Sequence, residues 1–269
     1  MTDPANKTVL ITGASGGFGR QMVRQFGAAG SKLILTDRND ALLRDAMDEA
    51  GDNHVAAFAT DLSTEDGCRA LVDACAVQVI VPDILVNNAG IAVAGRLDNV
   101  PQQSWETLIQ LNLLGPMRLA NGFLPAMVER GSGHIVNISS VAGWVGARGM
   151  SPYCASKFGL RGFGESLSAD LDGTGVSVTN VYPCFSQTPI LESPQYGYEE
   201  TLVVPPRLIS NPAHVVAKMI AGIRRGKLHV FPDRYARLTY YLLRFAPWLL
   251  PILDRRLYAQ AIAAAKKND

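Results

Sequence analysis

The sequence predicts an α/β fold: a doubly wound parallel sheet with helices on both faces, three layers deep, in one domain over residues 1–269. Three observations predict it. Short β-branched runs alternate with stretches of helical period. A glycine-rich turn joins the first strand to the first helix. The composition, with 48% hydrophobic and 18% charged residues, is that of a chain that buries a sizeable core.

The predicted strands and helices alternate along the chain. Strands are expected at 8–12, 32–36, 54–59, 83–88, 134–139, 176–183 and 228–232. Helices are expected at 17–30, around 40–50, and at 64–77, 104–130 and 152–172, with a C-terminal helical extension at about 233–267. Residues 185–212 lack a sustained period and are expected to form a substrate loop. Ligands should bind at the carboxyl ends of the strands.

Charge and cysteine content narrow the functional class. The net charge is +1, but residues 224–269 hold ten Lys or Arg against three Asp, which leaves 15 basic and 21 acidic side chains in residues 1–223. The four cysteines, at 68, 75, 154 and 184, have neither metal-ligand spacing nor the density of a disulfide scaffold, so no metal is expected. No secretory signal is visible, and we expect a cytoplasmic protein whose partner is a small molecule and not a nucleic acid.

The stretch "TGASGGFG" at 12–19 follows a strand and opens a helix, which is the context of a dinucleotide site. Glycines allow a tight turn and a close approach of the backbone to a pyrophosphate, whose charge is favoured at a helix N-terminus. The residues expected to contact the cofactor in this turn are Gly13, Ser15, Gly17, Phe18 and Gly19.

Asp37 ends the second strand, 18 residues after Gly19. A carboxylate at this place accepts hydrogen bonds from the adenosine ribose hydroxyls and repels a 2′-phosphate, which favours NAD over NADP. NADP remains the alternative cofactor because the guanidinium of Arg38 could bind a phosphate if Asp37 turned away. The alternative for Arg38 is a solvated loop charge.

Two further strand ends carry candidate cofactor contacts. "TDL" at 60–62 places Asp61 and Leu62 after the third strand, where the carboxylate could accept from an adenine amino group. The alternative is that Asp61 precedes a helix capped by Ser63 or Thr64. "NNAG" follows the fourth strand, and its expected cofactor contacts are Asn88, Ala89 and Gly90. Asn87 could tie neighbouring strand ends together, or could form a purely structural turn.

Together these motifs resemble the short-chain dehydrogenase/reductase family, in its compact single-domain branch. The family's T-G-x-x-x-G-x-G is matched by residues 12–19, its N-N-A-G by 87–90 and its Y-x-x-x-K by Tyr153 and Lys157 in "SPYCASKFG". Its catalytic serine, thirteen residues before the tyrosine, corresponds to Ser140, and its helix asparagine to Asn112 in "LNLLG". The likeness covers about residues 7–190 and implies a Rossmann-type fold and hydride transfer between an alcohol or carbonyl and NAD(P).

The resemblance also implies a role for each catalytic side chain. Tyr153 would be the general acid and base; lowering the pKa of a tyrosine from ~10 by ~3 units takes roughly 4 kcal/mol. Lys157, one helical turn on, is expected to supply much of this as a nearby cation and to hydrogen-bond the nicotinamide ribose. Ser140 would hold the substrate oxygen, and Asn112 would keep a water in a proton relay.

One motif departs from the family pattern. The family has Pro-Gly and then Thr after its sixth strand, whereas this chain reads "PCFSQT" at 183–188. Pro183 and Thr188 are kept and are expected to contact the nicotinamide end of the cofactor. Cys184 stands at the position of the family's glycine and Ser186 at that of its aliphatic residue, so the sequence leaves the shape of the pocket there undecided.

The tail at 234–267 combines large apolar residues with Arg and Lys, and is interrupted too early for a spanning helix. It could rest on a membrane surface, or pack on the protein itself or at a subunit contact, closing over the pocket. An apolar lid suggests a lipophilic alcohol or ketone, such as a hydroxysteroid, a terpenoid or long-chain alcohol, or a β-hydroxyacyl compound.

The leading hypothesis is therefore an NAD-dependent alcohol dehydrogenase or carbonyl reductase acting on such a substrate. The alternatives are an NADPH-dependent ketoacyl or carbonyl reductase, a dinucleotide-sensing protein that has lost catalysis, and a nucleotide-sugar epimerase, which the modest length disfavours. The family commonly pairs its long helices across a subunit interface, so a homodimer or homotetramer is expected.

Overall fold

The computed structural model describes residues 1–198 and 203–265, with nine strands in that part of the chain. The strands are β1 (Thr8–Thr12), β2 (Lys32–Asp37), β3 (His54–Ala59), β4 (Ile84–Asn87), β5 (Ala94–Gly95), β6 (Gly133–Ile138), β7 (Val176–Val181), β8 (Gln195–Tyr196) and β9 (His229–Val230). Seven of them form a parallel sheet in the order β3-β2-β1-β4-β6-β7-β9, and β5 and β8 form a small second sheet. The doubly wound parallel sheet is confirmed, and its strand order reverses between β1 and β4.

Helices cover both faces of the large sheet. They are α1 (Gly17–Ala28), α2 (Asp40–Ala50), α3 (Glu65–Val77), α4 (Gln102–Ile109), α5 (Gly115–Glu129), α6 (Ser151–Asp170), α7 (Pro212–Arg224), α8 (Arg234–Phe245) and α9 (Leu250–Ala265). Helices α1, α2 and α7 pack on one face around Phe26 and Met219. Helices α3 and α5 pack on the other around Leu71 and Phe123. Both interfaces are sealed by fully buried aliphatic side chains of the strands.

Several elements differ from the sequence prediction, among them β5 and β8, which were not predicted. Helix α7 lies between the predicted substrate loop and the predicted strand at 228–232, where no element was predicted; Asn211 caps it by accepting from Ala213 N at 2.8 Å, and Pro212 begins it. The last strand pairs over two residues instead of five. Pro251 is the second residue of α9 and does not interrupt it, because a proline is tolerated in the first turn of a helix. Residues 199–202 of the predicted substrate loop and 266–267 of the predicted tail lie outside the described residues.

A ladder of three buried asparagines crosses the centre of the sheet. Asn87, Asn137 and Asn180 are directly opposite one another on β4, β6 and β7. Asn87 Nδ2 donates to Asn137 Oδ1 at 2.9 Å, and Asn137 Nδ2 donates to Asn180 Oδ1 at 3.0 Å. Asn87 therefore ties strand ends together, one of the two roles that the sequence left open for it.

We expect acid to unfold the protein partly through His134, which is fully buried between Thr2 Oγ1 at 3.0 Å and Thr179 Oγ1 at 2.8 Å. Burial, with the positive N-terminus as a smaller cause, lowers the pKa of His134 to about 4. The folded protein thus resists protonation that the unfolded chain accepts near pH ~6.5. Stability is full above that pH and is lost as the pH falls toward 4, by about 3 kcal/mol at the low end.

Urea unfolding at pH values between 7.5 and 4 measures this loss. Burial also lowers the pKa of His229, so the pH dependence of stability in the parent has more than one source. The contribution of His134 is isolated with His134→Gln, whose free energy of unfolding should depend less steeply on pH over the same range. Equal pH slopes for the two proteins would contradict the assignment to His134.

Within residues 1–198 and 203–265, no helix combines the length and apolar character needed to cross a membrane. The same residues contain no cluster of three or more His, Cys, Asp or Glu side chains arranged to hold a metal ion.

Candidate active site

The glycine-rich turn lies at the carboxyl end of β1, packed against the end of β4. Gly13 has a φ of +65°, and a Cβ there would lie 2.9 Å from Ala89 Cα. Asn88 Nδ2 donates to the carbonyls of Thr12 at 2.8 Å and Gly13 at 3.1 Å, while Asn88 N and Ala89 N donate to Thr12 Oγ1. The predicted residues of β1 and β4 are thus one hydrogen-bonded unit, which holds the turn open at the start of α1.

Ser15 and Asp37 complete this corner. Asp37 Oδ2 accepts from Ser15 N at 3.1 Å and its Oδ1 accepts from Arg38 N at 2.8 Å, so the carboxylate is drawn toward the glycine turn. The hydroxyl of Ser15 is buried and has no hydrogen-bond partner among the described residues. Arg38 is exposed. The corner before α1 therefore brings together a carboxylate and a buried hydroxyl that has no partner among the described residues.

Asp61 lies after the end of β3, and one of its two carboxylate oxygens accepts hydrogen bonds from the chain. Its Oδ1 accepts from Ser63 N at 2.9 Å and from Ser63 Oγ at 2.7 Å. Helix α3 itself is capped by Thr64, whose Oγ1 accepts from Gly67 N. Leu62 is buried next to the backbone of Gly115. Asp61 is exposed and shapes the turn, which leaves its second oxygen toward solvent.

Ser140 and Tyr153, the predicted catalytic pair, lie beside each other beyond β6. Ser140 begins a short 3₁₀ turn, accepting from Ala142 N at 3.1 Å and donating to Pro183 O at 3.4 Å. Tyr153 lies in the first turn of α6, which packs against that 3₁₀ turn. Burial raises the pKa of Tyr153 to about 12, an effect that the Ser140 side chain beside it partly opposes. The two hydroxyls are therefore neighbours at the rim of the sheet.

Lys157 is buried one helical turn below Tyr153, with its Nζ 5.6 Å from the centre of the phenol ring. Its Nζ donates to Ile138 O at 2.9 Å, and burial lowers the pKa of Lys157 to about 8. The lowering of the Tyr153 pKa expected from this cation is not found in the chain alone, where burial of the phenol raises that pKa. Lys157 is a desolvated cation near neutrality, close to both Tyr153 and Gly90.

Asn112 lies in a π-helical turn, Gln110–Leu114, between α4 and α5. Its side chain is fully buried: Oδ1 accepts from Ile91 N at 2.9 Å, and Nδ2 donates to Ile91 O at 2.8 Å and Ser156 Oγ at 3.3 Å. The amide thus clamps the segment after Gly90 and leaves no side-chain atom free for the water expected from sequence. π turns are frequent at functional sites because they displace backbone groups from the regular helix.

The segment Pro183–Thr188 folds back over the start of α1. A Cβ on Gly17 would meet the side chain of Thr188, so the predicted cofactor residues of the two segments are in close contact. Cys184 N donates to Asp233 Oδ2 at 2.9 Å, and Asp233 Oδ1 accepts from Ala236 N at 2.8 Å at the start of α8. Asp233 was not among the residues predicted from sequence. The signal for it was an acidic residue directly before a helical pattern, which is typical of a helix cap.

The loops on the substrate side are joined to the tail. Arg148, in the loop that follows Ser140, forms an ion pair with Asp254 of α9 at 3.7 Å and lies over the ring of Tyr258. Arg207 of the substrate loop donates to Gln260 Oε1 at 2.6 Å, and its carbonyl accepts from Tyr235 Oη at 2.8 Å. Helices α8 and α9 therefore contact both the loop that follows Ser140 and the predicted substrate loop.

A doubly wound sheet with a glycine turn at its switch point is the architecture of dinucleotide-dependent oxidoreductases. The family model for short chain dehydrogenases matches residues 7–197, and the chain belongs to that family.

Relatives and solved structures agree with this assignment. The chain is 32% identical over 249 residues to human (Homo sapiens) epidermal retinol dehydrogenase 2, covering 90% of this chain and 79% of that protein. A short-chain dehydrogenase from Sphingobium yanoikuyae in complex with NADPH superposes with a TM-score of 0.75 at 31% identity, covering 91% and 94% of the two chains. A relative from Burkholderia phymatum in complex with NAD gives 0.78 at 25% identity, covering 91% and 96%. Family members thus bind NAD or NADPH.

Proposed function

We propose that this oxidoreductase transfers hydride between NAD and a primary or secondary alcohol, or the matching carbonyl, of a lipophilic substrate. The observation that carries the proposal is the meeting of the Ser140 and Tyr153 side chains above the buried Lys157 amine, at the same sheet edge as the glycine turn. A proton donor and a second hydroxyl beside it are what a carbonyl oxygen needs during reduction.

The residues at the sheet edge fit a dinucleotide. The buried Ser15 hydroxyl lacks a partner among the described residues, and the Gly13 turn would be closed by a Cβ. The turn residues, with Gly17, Phe18 and Gly19, would hold the phosphates, and Asp37 the ribose of the adenosine. The remaining contacts proposed are Arg38, Asp61, Leu62, Asn88, Ala89, Gly90, Pro183 and Thr188, together with Tyr153 and Lys157.

When bound, the nicotinamide supplies the hydride chemistry. Tyr153 Oη would donate its proton to the carbonyl oxygen in reduction and accept it from the hydroxyl in oxidation. Ser140 Oγ would hold that oxygen in place. Lys157 Nζ, mostly protonated at pH 7 because its pKa is about 8, would favour the phenolate when it forms. Asn112 acts as a clamp on the segment after Gly90, so a relay water there would bind a backbone group.

A lipophilic substrate is supported by the apolar surroundings of the pair and by a relative named for retinol, which is a lipophilic alcohol. Tyr153 itself packs in an apolar cluster with Val93, Leu108 and Tyr196. The second candidate is an NADPH-dependent carbonyl or ketoacyl reductase; a neighbour in complex with NADPH supports it. A cytoplasmic homodimer or homotetramer is part of the proposal.

Absorbance of NADH and NADPH followed across a panel of lipophilic alcohols and ketones tests the proposed function. Turnover of at least one compound class with NADH preferred is the expected result. Tight binding of NADH without turnover of any compound would instead favour the dinucleotide-sensing alternative.

Replacing Asp37 should change the cofactor preference. We expect Asp37→Ser to raise the ratio of kcat/KM for NADPH to that for NADH at least ~10-fold, a change of about 1.4 kcal/mol, because the carboxylate that repels a 2′-phosphate is removed while Arg38 stays. The matched control is Asp40→Ser, an exposed carboxylate three residues further on, which should leave the ratio unchanged. An unchanged ratio in Asp37→Ser would refute the assigned role.

A further inference from the structure

The C-terminal tail carries a series of exposed apolar side chains. Within α8, Leu238, Tyr241 and Phe245 recur at a spacing that puts them on one face, and further exposed apolar side chains follow the turn at Pro247. Phe245 is 70% exposed and Trp248 67%. We call this surface the tail stripe; it comprises Leu238, Tyr241, Phe245, Trp248, Leu249, Ile252 and Leu253.

The opposite side of α8 is fixed to the body of the protein. Asp233 caps the helix from a buried position, and Ala236 is fully buried. Tyr240 packs edge-on against Trp144 at 5.3 Å between ring centres and against Phe231 at 4.6 Å. Because these contacts set the rotation of α8, the α8 side chains of the tail stripe point away from the core, and its later members are likewise exposed. This side of α8 is therefore the solvent-facing side, because the opposite side already packs on the body of the protein.

The charge around the tail stripe is strongly basic. Residues 234–267 contain seven Lys or Arg against one acidic residue, Asp254, which pairs with Arg148. Four exposed arginines lie along the stripe: Arg237, Arg244, Arg255 and Arg256. Residues 1–223, in contrast, hold 15 basic and 21 acidic side chains. The charge asymmetry would turn this one surface, and not the rest of the molecule, toward an anionic partner.

We propose that the tail stripe docks the protein on the surface of an anionic lipid bilayer. The aromatic side chains of Tyr241, Phe245 and Trp248 suit the boundary between headgroups and acyl chains. The flanking arginines can extend to lipid phosphates while their stems stay on the apolar side. Docking of this kind places a helix in the plane of the interface and needs no spanning segment.

The position of the tail stripe gives docking a second consequence. Its helices contact both the loop after Ser140, through Arg148, and the substrate loop, through Arg207. A docked molecule would hold the rim of the pocket against the lipid, where lipophilic alcohols accumulate. This consequence rests on the proposed function, whereas docking itself does not.

Vesicle flotation tests docking without turnover. The full chain is expected to float with vesicles of phosphatidylcholine and phosphatidylglycerol, to bind vesicles of phosphatidylcholine alone at least tenfold more weakly, and to be released by salt. Phe245→Ser/Trp248→Ser should weaken binding at least tenfold, and Arg237→Gln/Arg244→Gln should remove the preference for the anionic lipid. The matched control is Val77→Ser/Val128→Ser, which removes two exposed apolar side chains outside the tail and should float like the parent.

Two outcomes would overturn the proposal. One is that the parent does not float, or that the tail stripe variants float as the parent does. The other is that Phe245→Ser/Trp248→Ser turns a dimer into a monomer in light scattering and changes nothing on vesicles, which would assign the stripe to a second copy of the chain. Turnover of a water-soluble alcohol, measured in parallel, keeps failure of docking separate from failure of the proposed activity.

Discussion

Tyr153→Phe is expected to lower kcat by about 10³-fold or more while changing the affinity for NADH far less. The substitution keeps the ring that packs in the apolar cluster with Val93 and Leu108 and removes only the hydroxyl beside Ser140. General acid–base groups contribute roughly 10² to 10⁴ in rate, so loss of the proton donor should dominate the effect. Single-turnover kinetics and fluorescence titration with NADH measure the two quantities separately.

The pH dependence sharpens the same test. Burial holds the pKa of Tyr153 well above neutral, at about 12, so at pH 7 the residue carries the proton that carbonyl reduction consumes. Oxidation of an alcohol needs the deprotonated form, and its kcat/KM should rise with pH in the parent and lose that rise in Tyr153→Phe. The matched control is Tyr241→Phe, at an exposed tyrosine of the tail. Parent-like turnover by Tyr153→Phe would remove this residue from the mechanism.

Asn137→Leu is expected to cost about 4 kcal/mol of unfolding free energy, a large share of the 5–15 kcal/mol of a typical domain. Asn137 is fully buried and both of its side-chain hydrogen bonds go to other buried amides. Asn87 Oδ1 and Asn180 Nδ2 already lack partners among the described residues, so the variant would leave these two amides wholly unpaired in the core. Each unsatisfied buried group costs about 1–3 kcal/mol.

Urea unfolding measures the cost, with Asn121→Leu, at an exposed position of α5, as the control expected to stay within about 0.5 kcal/mol of the parent. A triple variant, with Val in place of all three ladder asparagines, distinguishes unpaired amides from a poor fit. Because it removes the polar groups on both sides, it should be more stable than Asn137→Leu. A triple variant less stable than the single one would mean that the ladder does more than satisfy its own members.

The parts of the molecule that the sequence predicted are those fixed by local patterns. The glycine turn at 12–19 needs only its own residues and the strand and helix beside it, and most helices and strands were placed within a few residues by their period. The adjacency of Ser140, Tyr153 and Lys157 followed from the family motifs. The seven-stranded parallel sheet followed from the alternation of strands and helices.

Most of the features that were not predicted from the sequence depend on contacts between residues that are distant in sequence. Asn137 and Asn180 looked like ordinary strand residues, and their ladder with Asn87 exists only because β4, β6 and β7 lie side by side. The high pKa of Tyr153 is a desolvation effect, which no spacing of Tyr and Lys reports. Helix α7 had its signal in the sequence, an Asn-Pro start, but no element was predicted for residues 213–227.

The two hydrogen bonds of the Asp233 carboxylate make α8 a structural part of the pocket. One oxygen caps α8 and the other holds the backbone of Cys184, next to the proposed nicotinamide contact at Pro183. The segment "PCFSQT", in which the chain departs from its family, is therefore braced from a helix that lies beyond the 7–197 match to the family model. A comparison confined to the shared core would miss this brace, and differences in substrate choice among relatives can arise in their tails without any change in the catalytic residues.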